Sequence, residues 1–399
     1  MKRRRAGWRK GSHLILLFLL VSSLTGGIIL PPFNFQVSNV EASPSVSQSW
    51  YYTDFQYRVE HNITGSSAGD QTNYQVKVVI HNGTGTSSGD TYYTTNIAQS
   101  DFDDVRFTWY NSSSGEEQPC DYWRETYVAG EYAVFWVEVP SIPSSGDTTI
   151  YIYYGNSTVT TASNGDDAFI FFDDFEGTSL DTSKWTWDNE GGDGLYSVSN
   201  SELDIDYTAD TGKAGVYSIA ITQSKCVITV KAKGVRDGGS DGLHAPNVKL
   251  NDNAGIGAPS SYANQFFFSG KDEIRHSWYT GTWSYVVMLS TSQPKEYKLW
   301  QTIKDGNHFT ARYLNLDYSE IASHTATVAD FTFRICLLVQ YNAEAKYDWV
   351  YVRKYVDPEP SHGNWGTEET QPTVENSVTQ TSPSDGATVT SWTVNFYYK

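Results

Sequence analysis

FFDDFEGTSLDTSKW, Phe171–Trp185, sets three phenylalanines, four acidic side chains and a glycine within fifteen residues. Its reading decides whether the middle of the chain holds an acidic catalytic cluster, a metal site or the first strand of a domain. Successive side chains of a strand point to opposite faces. Phe171, Asp173 and Phe175 then share one face, and Phe172, Asp174 and Glu176 the other. The acids are divided between two faces and do not converge as a catalytic pair would. The stretch reads as an opening strand.

The segment before it, residues 47–165, is a series of strand-like runs: YQVKVVI (Tyr74–Ile80), DVRFTWY (Asp104–Tyr110), YAVFWVEV (Tyr132–Val139) and TTIYIYYG (Thr148–Gly155). Gly, Ser and Asn turns separate them. In the third run Phe135, Val137 and Val139 form a wholly apolar face opposite Val134, Trp136 and Glu138, as a sandwich strand requires. The composition agrees: 15% aromatic residues, 28 Tyr, 13 Trp and 32 Gly favour β-sandwiches over helical bundles. Residues 168–357 hold a second set of such runs. From Asp357 the chain turns Pro/Glu/Thr-rich, and 358–385 reads as a linker. Residues 386–399 read as the incomplete start of a further immunoglobulin-like or fibronectin-like domain.

At the N-terminus a basic lead, MKRRRAGWRKGSH, precedes the apolar Leu14–Leu30 and a small-residue cleavage candidate ending at Ala42. Residues 1–42 read as an export signal, with an uncleaved anchor as the rival. The protein is thus expected outside the cell or on its surface, touching a membrane only through this segment. The formal charge of −18 disfavours nucleic acid and anionic membranes, and cleavage would leave the chain more acidic still. Three cysteines define no disulfide framework. Cys226 and Cys336 sit in strand patterns, where core packing and a mutual bridge both remain open. N-x-S/T tripeptides occur at Asn62, Asn82, Asn111 and Asn156, and suggest surface loops in the first module.

Two resemblances carry further expectations. FQYRVEHNIT, NYQVKVVI, SDFDDVRFTW, AVFWVEVPSI and TIYIYYGNSTVTTASNGDDAFIFFDDFE, over about residues 50–176, resemble a family of extracellular modules known only as domain of unknown function 2341. It implies a surface-protein context and no activity. FFDDFEGTSLDTSKW and the closing KYDWVYVRKY (Lys346–Tyr355) resemble the two ends of a concanavalin A-like lectin/glucanase jelly roll. The expected fold is all-β, with two consecutive sandwiches, the second concanavalin A-like.

The second resemblance points to ELDID, Glu202–Asp206. In family 16 glycoside hydrolases of that fold an E-x-D-x-E strand supplies the catalytic acids. Here Glu202, Asp204 and Asp206 would line one face, with Leu203 and Ile205 in the core. Retaining hydrolysis needs carboxyl groups about 5–5.5 Å apart, and a shorter Asp206 stands where the family has Glu. The row also comes early, in the second strand. The resemblance further implies one structural Ca²⁺ held by Asp348, with Asp174 lending a second carboxylate. From the residues themselves, RHSWYTGTWSYVV gathers Trp278, Trp283 and Tyr285 about a Thr-Gly turn, where aromatic faces can stack on sugar rings or fill the core. The eight His are scattered, and His244, His276 and His324 read as polar face or loop residues. No zinc, nucleophile-elbow or phosphate-loop motif is present. The expected role is non-catalytic binding of a glycan or other surface polymer. A glycoside hydrolase and a structural spacer are the alternatives.

Overall fold

A computed structural model describes residues 50–237, 243–270 and 272–372. The expected signal at 1–42, the linker stretch 373–385, the further domain at 386–399 and the His244 side chain lie outside the described residues.

The first eight strands are β1 (Tyr57–Thr64), β2 (Gln71–Asn82), β3 (Thr91–Thr94), β4 (Arg106–Asn111), β5 (Glu116–Pro119), β6 (Tyr122–Val128), β7 (Tyr132–Ile142) and β8 (Asp147–Tyr154). One sheet runs β3-β2-β7-β6, and β1, β8, β4 and β5 belong to the sheet that faces it. The alternation of β7 has its expected effect. Phe135, Val137 and Val139 enter a core with Val76, Val78, Ile150 and Ile152, while Trp136 belongs to another cluster on the far face.

A short helix, α1 (Gly165–Ala168), is capped by Asn164, whose side chain accepts a hydrogen bond from the Asp166 amide. The second sandwich follows with β9 (Phe171–Asp173), β10 (Trp185–Glu190), β11 (Gly194–Ser199), β12 (Glu202–Tyr207), β13 (Lys213–Ser218), β14 (Lys225–Arg236) and β15 (Leu243–Asn251). It continues with β16 (Ala263–Ser269), β17 (Glu273–Tyr279), β18 (Trp283–Ser290), β19 (Lys298–Asp305), β20 (His308–Leu314), β21 (Glu320–Thr327), β22 (Arg334–Gln340) and β23 (Glu344–Lys354). One sheet runs β11-β12-β23-β14-β19-β20-β21, with β9 added along β23. The other runs β10-β13-β22-β15-β16-β17-β18. Between them lies a core that includes Phe171, Phe175, Trp185, Ile205, Ile228, Phe266, Trp300, Leu337 and Tyr347.

FFDDFEGTSLDTSKW opens this sandwich. Its first strand, β9, pairs antiparallel with the closing strand, Asp173 opposite Val350. Phe171 and Phe175 fill the new core, and Phe172 faces outward onto the first sandwich. There Phe169, Phe172, Trp349 and Tyr351 meet Trp123 and Trp136 of β6 and β7. Trp123 and Trp349 stand edge to face at 5.4 Å, and Phe169 stacks on Tyr351 at 4.6 Å. The outer face of the eight-stranded sheet is thereby partly covered.

The expected linker needs correction. Residues Ser361–Trp365 form β24 and Glu369–Thr370 form β25, and both pair antiparallel with β1 of the first sandwich. Composition misleads because the glutamates of this segment find buried donors. Glu359 accepts from Tyr74 Oη at 2.6 Å and pairs with Arg353 at 2.5 Å. Glu368 accepts from Tyr154 Oη and Thr94 Oγ1, both at 2.8 Å. Glu369 pairs with the buried Arg58 at 2.9 Å. The second sandwich is therefore an insertion between β8 and β24 of the first.

The three cysteines are buried and free. Cys226 lies in the central core, whereas Cys336 packs with Ile256 and Leu338 in a separate cluster, so the bridge is not formed. Of the N-x-S/T sites, Asn62, Asn82 and Asn111 are half-buried, and Asn156 is buried. The Asn156 amide donates to the backbone and carboxylate of Asp54, and its Oδ1 accepts from Thr158. That side chain serves a turn, contrary to the surface-loop expectation.

Candidate functional site

The acidic row of β12 forms as the alternation requires. Leu203, Ile205 and Tyr207 are core residues, and Glu202, Asp204 and Asp206 share the outer face. Each acid there is met by a cation. Lys346 lies 3.0 Å from Glu202 and 3.6 Å from Asp204, Lys233 lies 3.7 Å from Glu202, and Asp206 pairs with Arg236. Glu202 also accepts from the Tyr297 hydroxyl. Burial works to raise the Glu202 pKa, but the Tyr297 and Lys346 hydrogen bonds outweigh it and hold the carboxyl below its usual range. Burial raises Asp204, whose Oδ1 has no partner. The row is a ladder of ion pairs on a strand adjacent to the one that packs on the first sandwich.

Asp348 sits where the β14–β23 register slips, as the extra residue of a bulge, and its carboxylate is 2.9 Å from Lys231 Nζ. Burial raises its pKa, and burial together with the nearby Glu176 raises that of Asp174. The Asp348 carboxylate takes its counter-charge from lysine, and no group of three or more His, Cys, Asp or Glu is placed to hold an ion among the described residues. The acid that matters structurally in the opening stretch is Asp173. Buried, it accepts from the Phe175 amide at 2.8 Å and from Trp185 Nε1 at 2.7 Å. The alternation groups it with Phe171 and Phe175, whose face is the core, and its indole partner comes from β10.

The aromatic hairpin divides. In the β17–β18 pairing Tyr279 opposes Trp283, Ser277 opposes Tyr285, and Trp278 opposes Ser284. Trp278 therefore points to the side opposite Trp283 and Tyr285. It packs against the sandwich core and stacks on His324 at 5.5 Å. His324 in turn meets Nδ1 of the buried His276 at 2.9 Å. The expectation that Trp278 joins a common platform is thus overturned by strand parity.

Trp283 and Tyr285 remain on the outer face, 46% and 59% exposed. Cross-strand pairing extends that face into rows. Lys249 opposes Gln265, Gln265 opposes Ser277, and Ser277 opposes Tyr285. Alongside run Asn251, Ala263, Tyr279 and Trp283. Phe267 and Arg275 form a flanking pair. A cavity of about 200 Å³ opens here, lined by Gln265, Phe267, Arg275, Ser277, Trp283, Ser284 and Tyr285. The Ser277 hydroxyl is buried on its floor with no hydrogen-bond partner. Nearby, Asn247 accepts from Gln265 at 2.9 Å and its own Nδ2 has no partner. Unpaired buried polar groups are costly, and a ligand hydroxyl could supply what these lack. Sequence reading found the aromatics; Gln265, Ser277 and Arg275 emerge only once the register brings their strands together.

Residues 101–188 match a family described as Domain of unknown function (DUF2341). The match runs from the first sandwich through α1 and β9 into β10. Among curated proteins none matches the chain. Among solved structures the chain is similar to one described under "Prominent members of the human gut microbiota express endo-acting O-glycanases to initiate mucin breakdown", at 13% identity and a TM-score of 0.37, covering 47% of this chain and all of that one. It is also similar to a β-1,3-1,4-glucanase from a mouse hindgut metagenome, at 14% identity and a TM-score of 0.35, covering 46% of this chain and 99% of that one. A legume lectin-like domain from Entamoeba histolytica gives 7% identity and a TM-score of 0.33, covering 43% of this chain and 91% of that one. None of them carries a residue role over to this chain.

Proposed function

We propose that this is an exported cell-surface protein whose second sandwich binds a glycan or other surface polymer without cleaving it. The observation that carries the reading is the cavity of the seven-stranded sheet. Two exposed aromatic side chains stand over a buried, partnerless serine hydroxyl. Aromatic faces stack on the apolar faces of sugar rings, and convergent polar groups fix their hydroxyls. The ion-paired state of Glu202, Asp204 and Asp206 supports a non-catalytic role. The basic and apolar N-terminal segment supports export.

Binding of the chain to an array of polysaccharides, wild type against a Trp283→Ala/Tyr285→Ala double variant, tests this. We expect at least one polysaccharide to bind the wild type and to lose affinity for the variant. Release of reducing ends from the bound polymer would overturn the non-catalytic reading. Binding to no polysaccharide would overturn the function itself.

A further inference from the structure

We infer that the sugar ring taken by this cavity carries an anionic group, a carboxylate or a sulfate ester; the inference rests on the glycan-binding reading above. The cavity's charged lining is cationic, with its balancing carboxylate set to one side. Among its described lining residues no side chain is a carboxylate, and Arg275 is a cation. Its guanidinium lies 4.7 Å from the Tyr285 ring centroid and is held on one side by Glu273 at 2.5 Å. A second cation stands behind the Trp283 wall. Lys249 is 3% exposed, and its Nζ lies 5.9 Å from the Trp283 ring centroid.

Lys249 is unusual in its company. Its ammonium donates to the Ile256 carbonyl at 3.3 Å and to the Gly257 carbonyl; Glu190 and Asp252 are the nearby acids, both beyond ion-pair distance. Burial draws its pKa down to about 8, so it is still mostly protonated at neutral pH. A buried ammonium whose direct partners are carbonyls is costly, and an anion brought alongside offsets that cost. The chain as a whole has 46 acidic and 28 basic residues, so a cavity whose described lining side chains include no carboxylate differs from the surface around it.

The rows give the arrangement a direction. Lys249, Gln265, Ser277 and Tyr285 lie on four successive strands, which are spaced by roughly 4.8 Å. A ring stacked near Tyr285 would set its hydroxyls over Ser277 and Gln265. Its anionic group would then be turned either along the row to Lys249 or sideways to Arg275. A neutral ring would leave both cations without a new partner. An anion gains a charge-assisted hydrogen bond from each that it reaches.

The test is equilibrium binding of the full chain to four polymers: polygalacturonate, its carboxyl-reduced counterpart, a sulfated galactan and the same galactan desulfated. We expect one of the anionic polymers to bind about tenfold or more tighter than its neutral counterpart. Preference for polygalacturonate identifies the carboxylate, and preference for the sulfated galactan the sulfate ester. Lys249→Met and Arg275→Gln should each shrink that ratio, whereas Tyr285→Ala should weaken both members of the pair alike. Thermal melting checks that each variant is folded, and Arg275→Gln stands alone if Lys249→Met is not. Equal binding of charged and neutral polymers overturns this inference and leaves the glycan-binding reading intact. Unchanged ratios in both variants overturn it too. Binding to none of the four, with none on the wider array, overturns both.

Discussion

Glu359 accepts a hydrogen bond from the Tyr74 hydroxyl at 2.6 Å across 285 positions of sequence. The same carboxylate pairs with Arg353, whose side chain is 9% exposed. One residue thus ties the end of the second sandwich to a core tyrosine of the first. Glu359→Ala would strand the Arg353 guanidinium without its carboxylate. Glu359 is itself 36% exposed, so solvent eases the loss, and we expect destabilisation by about 2–3 kcal/mol. Urea denaturation of wild type and variant measures it.

Asp173→Asn tests the pin beneath β9. The amide can still accept from Phe175 but turns its NH2 toward the Trp185 indole N–H, leaving that buried donor unsatisfied. The expected loss is about 1–3 kcal/mol by denaturant midpoint. Asp174→Asn, on the other face, should change the midpoint by less than about 0.5 kcal/mol.

Trp278 and Trp283 should behave oppositely. Trp283→Ala removes exposed surface at the cavity, so we expect polysaccharide affinity to fall while the melting temperature holds. Trp278→Ala removes a ring packed on the core and on His324, with an expected cost of about 2–4 kcal/mol and no direct effect on affinity. Parallel melting and binding curves distinguish the two.

Two histidine pairs make stability depend on pH. His61 meets His362 at 2.8 Å beneath Trp365, with Asp90 and Lys77 as the nearby charges. Burial first, then His362, draws the His61 pKa down to about 3, and burial draws His362 down as well. His276, beside His324, is likewise drawn down to about 3. Below pH 6.5 the unfolded chain binds these protons and the folded chain does not, so stability falls as pH drops from 6.5 toward 3. Between pH 6.5 and 5 each such histidine costs up to about 2 kcal/mol. Urea midpoints of His61→Leu should fall less steeply over that interval than those of the wild type.

What the sequence made legible was local and periodic. The faces of β7, β9 and β12 follow from alternation alone, because each buries one side. The ends of the second sandwich were legible for the same reason. Trp278 is close in sequence to the exposed pair, yet its side is decided by the register of the Thr280–Thr282 turn and not by proximity along the chain. With Tyr279 opposite Trp283, parity separates Trp278 from the exposed pair. The docked 361–370 segment was illegible for another reason. A run rich in Glu, Pro and Thr reads as solvated until Arg58 and Tyr154, more than 200 positions away, are known to be its partners. The floor of the cavity failed likewise, since Gln265 and Ser277 are ordinary strand residues until β16 and β17 lie side by side.

The pairing of β1 with β24 and β25 also sets how the molecule answers tension. Tyr57 opposes Thr370 at one end of the contact and Thr64 opposes Ser361 at the other. The Gln371 amide donates to the Gln56 carbonyl, so the chain enters and leaves at the Tyr57 end. A pull along the chain would then load the hydrogen bonds one after another, as a zipper opens, instead of shearing them together. The returning strip peels first, and until it does the inserted sandwich bears none of the load.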